Sequence, residues 1–84
     1  MDTFTHYLVG DVNRRYIVAE FYTLSALNAK DIIKRMKLYG AKVEPCRVYK
    51  VSAYRVGEYY ECYYFETDEK GDVLSEGGDV PLKP

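Results

Sequence analysis

Ser25 to Gly40, SALNAKDIIKRMKLYG, is the stretch where the chain changes period. Ala29, Ile32, Ile33, Met36 and Tyr39 recur at i, i+3, i+4, i+7 spacing, which lines one apolar stripe along a helix, with Gly40 in close packing. Ser25 has the short hydroxyl side chain of an N-cap, so the helix is expected from Ala26. Gly40 suits the C′ position, where positive φ is needed. Lys34, Arg35 and Lys37 crowd the last turns and complement the helix dipole.

On both sides of this stretch the period is two. Phe4 to Val9 reads as a strand, Gly10 to Asn13 as a turn, and Arg15 to Tyr22 (RYIVAEFY) as an antiparallel second strand. After the helix, Lys42 to Ser52 reads as a third strand, with Pro45 marking an edge or an irregular start. Val56 and Gly57 form a turn, and Glu58 to Glu66 a fourth strand. TDEKGD, Thr67 to Asp72, is a hairpin turn with Gly71 in the left-handed region, leading to a short fifth strand from Val73 to Ser75. The expected fold is α+β: an antiparallel sheet of four to five strands with one helix on one face, in the order ββαβββ. Residues 1–76 form a single domain. Residues 77–84 form a tail, whose Val80 and Leu82 offer a means of docking.

Eighty-four residues, 48% hydrophobic and 30% charged, are enough for one helix on one sheet and little more. No apolar run approaches the roughly 20 residues of a membrane span. The beginning, MDTFTHYLVGD, lacks the basic and apolar regions of a signal peptide, so a cytoplasmic location is expected. Cys46 and Cys62 are too few for a disulfide framework. They are read as reduced thiols, with a cross-strand disulfide as the alternative.

Net charge is −1 but unevenly spread. Residues 1–57 hold ten Lys/Arg against five Asp/Glu, and residues 58–84 hold two lysines against eight acids. Such a split indicates either a polar binding surface or two halves that neutralise each other in space.

EYYECYYFETDE, Glu58 to Glu69, concentrates four tyrosines, a phenylalanine and five acids in twelve positions. Side chains alternate across a strand, so Tyr59, Glu61, Tyr63 and Phe65 share one face, and Tyr60, Cys62 and Tyr64 the other. Burying an unpaired Glu61 is costly, which assigns Tyr60, Cys62 and Tyr64 to the helix side. In the second strand, Ile17, Ala19 and Phe21 suit the helix, while Tyr16, Val18, Glu20 and Tyr22 face away. In the third, Cys46 and Val48 point inward, and Arg47, Tyr49 and Val51 outward. One helix cannot cover both faces, and a large exposed apolar patch marks an interaction site. The expected partner-binding residues are therefore Tyr16, Glu20, Tyr22, Tyr49, Tyr59, Glu61, Tyr63 and Phe65, with the acidic run Glu66, Asp68, Glu69 and Asp72 as a second candidate.

Catalytic equipment is not legible. His6, the single histidine, has no recognisable nucleophile beside it, and a zinc site would need scattered ligands. The acids after Glu66 match no EF-hand spacing, and no phosphate-binding glycine loop is present. No enzyme, metal or cofactor is expected. A nucleic-acid reading would use Lys30, Lys34, Arg35 and Lys37 of the helix, with Arg14, Arg15, Lys42, Arg47 and Lys50 adding positive charge, beside exposed rings. Against it, Glu20 and Glu61 sit among those rings and the C-terminal third is acidic. An acidic, tyrosine-rich patch suits a basic protein surface, such as that of a nucleic-acid-handling protein, and a homodimer would use the same patch.

In size, in its sheet-plus-helix plan and in its acidic C-terminal half, the chain resembles the small phage proteins directed against host defences, anti-CRISPR proteins among them. FYTLSALNAKDIIKRMKLYG (Phe21–Gly40) and GEYYECYYFETDE (Gly57–Glu69) carry the resemblance. It implies stoichiometric blockade of a protein target, without turnover.

Overall fold

The computed structural model describes residues 4–56 and 58–78, apart from the side chains of Tyr60 and Glu61. Five strands and one helix follow in the order β1 (Thr5–Asp11), β2 (Tyr16–Thr23), α1 (Ala29–Leu38), β3 (Val48–Arg55), β4 (Glu58–Thr67) and β5 (Val73–Gly77). All strand pairs are antiparallel, in the spatial order β2-β1-β3-β4-β5. The fold is a small α+β domain with a five-stranded sheet and the helix on one face. The expected tail contacts of Val80 and Leu82 lie outside the described residues.

The helix buries Ala29, Ile32, Ile33 and Met36, the stripe read from the sequence. Tyr39, the C-cap, is 59% exposed, and Gly40 follows at φ 80. The N-cap is Asn28 rather than Ser25, its Oδ1 accepting from Asp31 N–H at 2.9 Å. Ser25 instead donates its backbone N–H to the Thr23 hydroxyl, closing the end of β2. An Asx side chain three residues before the first turn's free amide is as good a cap as serine, so composition alone could not choose between the two.

Cys46 has φ 55 and Pro45 cannot donate to a ladder, so β3 begins at Val48 and not at Lys42. Residues 41–47 are a crossing segment held by side chains. The buried Thr67 hydroxyl donates to Glu44 C=O at 2.8 Å and accepts from Arg47 N–H at 2.9 Å. The buried Tyr49 hydroxyl accepts from Glu44 N–H at 2.9 Å. The β4–β5 turn forms around Asp68, whose Oδ1 accepts from the Lys70 and Asp72 amides, with Gly71 at φ 84.

The core lies between the helix and one sheet face. It contains Tyr7, Val9, Phe21, Tyr49, Val51, Ala53 and Phe65 beneath the helical stripe. This reverses the expected parity of β3 and β4. Tyr49 and Phe65 are buried and stack with centroids 5.2 Å apart. Tyr63 packs against the core and donates its hydroxyl to Leu27 C=O at 2.8 Å. Val51 is inside, while Cys62 and Tyr64 are in register with Ser52 and Lys50 on the other face. The cost assigned to Glu61 did not decide the parity, because one carboxylate weighs less than Tyr49, Val51, Tyr63 and Phe65 together, each buried ring or branched chain being worth about 1.5–3 kcal/mol.

Two bulges complete the correction. Val18 is extra on β2, since Val9 pairs with Ala19 and Gly10 with Ile17. Tyr60 is extra on β4, since Ala53 pairs with Glu61 and Tyr54 with Tyr59. Each extra residue shifts the alternation by one. Ile17 thereby leaves the helix side on which Ala19 and Phe21 lie, and is 53% exposed. Tyr59 parts from Tyr63 and Phe65 and reaches the open face.

Candidate interaction surface

The sheet face away from the helix has no helix or strand packed on it among the described residues, although Val48 at the start of β3 is buried there. Near one end, a row of rings crosses four strands: Tyr22 on β2, His6 on β1, Tyr54 on β3 and Tyr59 on β4, each in register with the next. His6 and Tyr22 stack at 4.3 Å and 10°, His6 and Tyr54 are 6.3 Å apart, and Tyr54 meets Tyr59 edge-on at 5.5 Å. Tyr22 and Tyr59 are 58% and 57% exposed. Such offset and edge contacts hold rings in fixed orientations before anything binds.

The next row is Glu20, Leu8, Ser52 and Cys62. Glu20 Oε2 lies 2.5 Å from His6 Nε2, so the only acid of β2 is engaged by the only imidazole of the chain. The ring forms no hydrogen bond with Ser52 or Cys62, the nucleophile types nearest in register. Ile17, Gly10, Lys50 and Tyr64 form the third row. Cys46 and Cys62 are both free.

The expected site residues therefore divide. Tyr22, Glu20 and Tyr59 lie on the open face. Tyr16 is also exposed, opposite Asp11 at the end of β2, and its hydroxyl accepts from Arg14 at 3.2 Å. That contact and Glu44, whose Oε1 is 2.7 Å from Arg14 Nη2, hold the Arg14 guanidinium above its ordinary pKa. Tyr49, Tyr63 and Phe65 are internal. Glu61 occupies the backbone position opposite Ala53, and its side chain is outside the described set. Reading by strict alternation missed His6, Leu8, Ile17, Tyr54 and Tyr64. The local signal for the β1 members was present: in THYLVGD the alternation of Tyr7 and Val9 already leaves His6 and Leu8 on the far side.

The acidic run is not one surface. Asp68 is committed to the turn, where amide donors from Asp72 and Lys70 hold its carboxyl below the ordinary aspartate range. Glu66 is half-buried in register with Val48, while Glu69 and Asp72 are exposed. Asp72 lines a cavity of about 490 Å³ with Lys30, Lys34 and Lys37, so one acid of the second half shares a hollow with bases of the helix. Those helix lysines lie on the opposite side of the sheet from the ring row.

No group of His, Cys, Asp and Glu that could hold a metal occurs among the described residues, nor does a helix long and apolar enough to cross a membrane. Comparison with known protein families, curated proteins and solved structures finds no match for this chain.

Proposed function

We propose that the chain is a non-enzymatic protein-binding module that acts through the open face of its sheet. The observation that carries this reading is the row Tyr22–His6–Tyr54–Tyr59, four rings held in contact across four strands, with Tyr22 and Tyr59 well exposed among the described residues. Tyrosine supplies buried area with few rotors to freeze and a hydroxyl for the partner's polar groups, which is why it recurs at binding hot spots. Four strands spaced about 4.8 Å and eight residues rising about 3.3 Å each give a face of about 19 by 26 Å. That is about 500 Å² in plan, the scale of a small, transient interface.

The charge on this face favours protein over nucleic acid. Glu20 and Glu66 are set against Arg15 and Lys50, a near balance, whereas a polyanion needs a net cationic surface. The helix lysines cannot supply it, because they lie behind the sheet. A module of this design works by occupancy, so inhibition by stoichiometric blockade is the form its activity takes.

The test compares the wild type with Tyr22→Ala/Tyr54→Ala/Tyr59→Ala as baits in a host lysate, alongside light scattering and low-salt titration with single- and double-stranded oligonucleotides. The reading expects a defined protein retained by the wild type and lost by the triple variant, with both proteins folded and monomeric. A partner retained by both overturns it. A wild-type dimer that the triple variant breaks would assign the face to self-association, and oligonucleotide binding abolished by the same variant would assign it to nucleic acid.

A further inference from the structure

The third row of the open face contains a depression of about 340 Å³, lined by Gly10, Val12, Arg15, Ile17, Lys50 and Tyr64 together with Asp11 and Tyr16. Its floor is bare because Gly10 has no side chain. Backbone geometry does not demand that glycine. A Cβ there would lie 3.5 Å from the Tyr16 carbonyl and 3.8 Å from Ile17 Cδ1, ordinary contact distances. Ile17 faces the hollow only because Val18 is bulged out of the ladder.

Two cations stand at this apolar hollow with no counter-ion among the described residues. Lys50 lies on the sheet's central strand, between Gly10 and Tyr64, and is exposed. It forms no ion pair with Glu66, its diagonal neighbour on β4. Arg15, held at φ 59 in the β1–β2 turn, has no ion pair or side-chain hydrogen bond among the described residues. The carboxylate that lines the hollow, Asp11, is already engaged. Its side chain is 1% exposed, accepts from the Asn13 and Arg14 amides at 2.9 and 3.3 Å, and lies 3.8 Å from Arg14 Nε. Apolar walls joined to cations that are unpaired among the described residues suit a compact branched side chain with a carboxylate beside it.

We propose that this depression is the anchor pocket of the interface and takes from the partner protein an aliphatic residue adjoining a carboxylate, as at a leucine-ended C-terminus. The assignment deepens the protein-binding reading and rests on it for the identity of the carrier. The pocket's own chemistry is tested separately. The aliphatic group covers Gly10 between Ile17 and Tyr64, and the carboxylate accepts from Lys50 and Arg15.

N-acetyl-leucine is the probe and N-acetyl-leucinamide its uncharged isostere, each titrated into the whole chain and followed by NMR. The acid is expected to shift Gly10, Ile17, Lys50 and Tyr64 saturably while leaving Tyr59 in place. The amide should bind about tenfold more weakly, the loss of a charge-assisted contact. Lys50→Gln with Arg15→Gln should bring the acid down to the level of the amide. Gly10→Val, which fills the floor, should abolish both while circular dichroism remains native. Equal binding of acid and amide, shifts centred elsewhere, or no shift at millimolar probe each overturn the assignment. A carboxylate preference that survives Tyr22→Ala/Tyr54→Ala, combined with a partner that ignores those substitutions, would leave the pocket standing and remove the ring-row reading. The converse result would remove the pocket alone.

Discussion

The Tyr63 hydroxyl donates to the Leu27 carbonyl at 2.8 Å, while the Tyr7 hydroxyl accepts from the Leu27 N–H at 2.9 Å. Leu27 thus has both its backbone groups satisfied by rings rising from β4 and β1, just before Asn28 caps the helix. The approach to the helix belongs to no ladder, so without these rings its polar groups would be left partly buried and unpaired. This contact explains why two large amphipathic side chains sit on the helix side of the sheet, with their hydroxyls away from solvent.

Removing either hydroxyl should therefore destabilise the fold without touching its open face. Tyr7→Phe and Tyr63→Phe are each expected to cost about 1–3 kcal/mol, the penalty for an unsatisfied buried group. Urea denaturation followed by circular dichroism reads the change, with an unaltered m-value. The two substitutions converge on one residue, so the double variant should depart from additivity. Losses below about 0.3 kcal/mol for both would mean that water replaces the rings at no cost.

The face assignment itself is tested by comparing two rings from the same strand. Phe65 is wholly buried against Tyr49, so Phe65→Ala should cost about 3–5 kcal/mol. Tyr59 is 57% exposed and meets Tyr54 edge-on among the described residues, so Tyr59→Ala should cost less than about 1 kcal/mol. If thermal unfolding gave Tyr59→Ala and Phe65→Ala the same large cost, the two rings would share one face, as strict alternation along β4 requires, and the bulge at Tyr60 would not exist.

That contrast also shows how far the sequence could be read. The helical stripe was legible because Ala29, Ile32, Ile33 and Met36 leave no other face to bury. The β4–β5 turn was legible because Gly71 takes positive φ. Parity in β4 was not, since Tyr63 and Phe65 on one side and Tyr60 and Tyr64 on the other are nearly equal in apolar content. One misplaced weight on Glu61 inverted the strand. The bulges at Val18 and Tyr60 carry no glycine or proline to announce them, and each turns every residue beyond it to the other face. Tyr22, Glu20 and Tyr59 were placed outside correctly, the last through two errors that cancelled.

Asp68 should give the fold an acid limb. Its carboxyl titrates below the ordinary aspartate value because the Asp72 and Lys70 amides donate to it. A group whose folded pKa is depressed stabilises above its unfolded pKa, and that contribution disappears as pH falls through the folded value. The stability of the wild type should decline below about pH 4, the unfolded aspartate range. Asp68→Asn keeps an acceptor but not the charge. It should lower the melting temperature at pH 6 and flatten the decline, so that the two curves converge near pH 2. Parallel curves across that interval would remove Asp68 as the source.

Tyr49 should act at the opposite end of the scale. It is 1% exposed on the central strand, and burial pushes its hydroxyl above the ordinary tyrosine range; the Glu44 N–H that it accepts opposes the shift without cancelling it. The neutral form is the one the fold favours. The raised folded pKa means that its contribution is complete below the unfolded value of about 10 and is lost as pH rises through the folded one. The chain has nine other tyrosines, so the informative quantity is the difference between wild type and Tyr49→Phe. At pH 7 the variant should be less stable by about 1–3 kcal/mol, because Glu44 N–H loses its acceptor. Between pH 10 and 12 the deficit should shrink, since phenylalanine has no proton to lose. Chemical denaturation at pH 7 and pH 11 measures it, and a deficit that stays constant or grows would show that the Tyr49 hydroxyl ionises as readily inside the fold as outside.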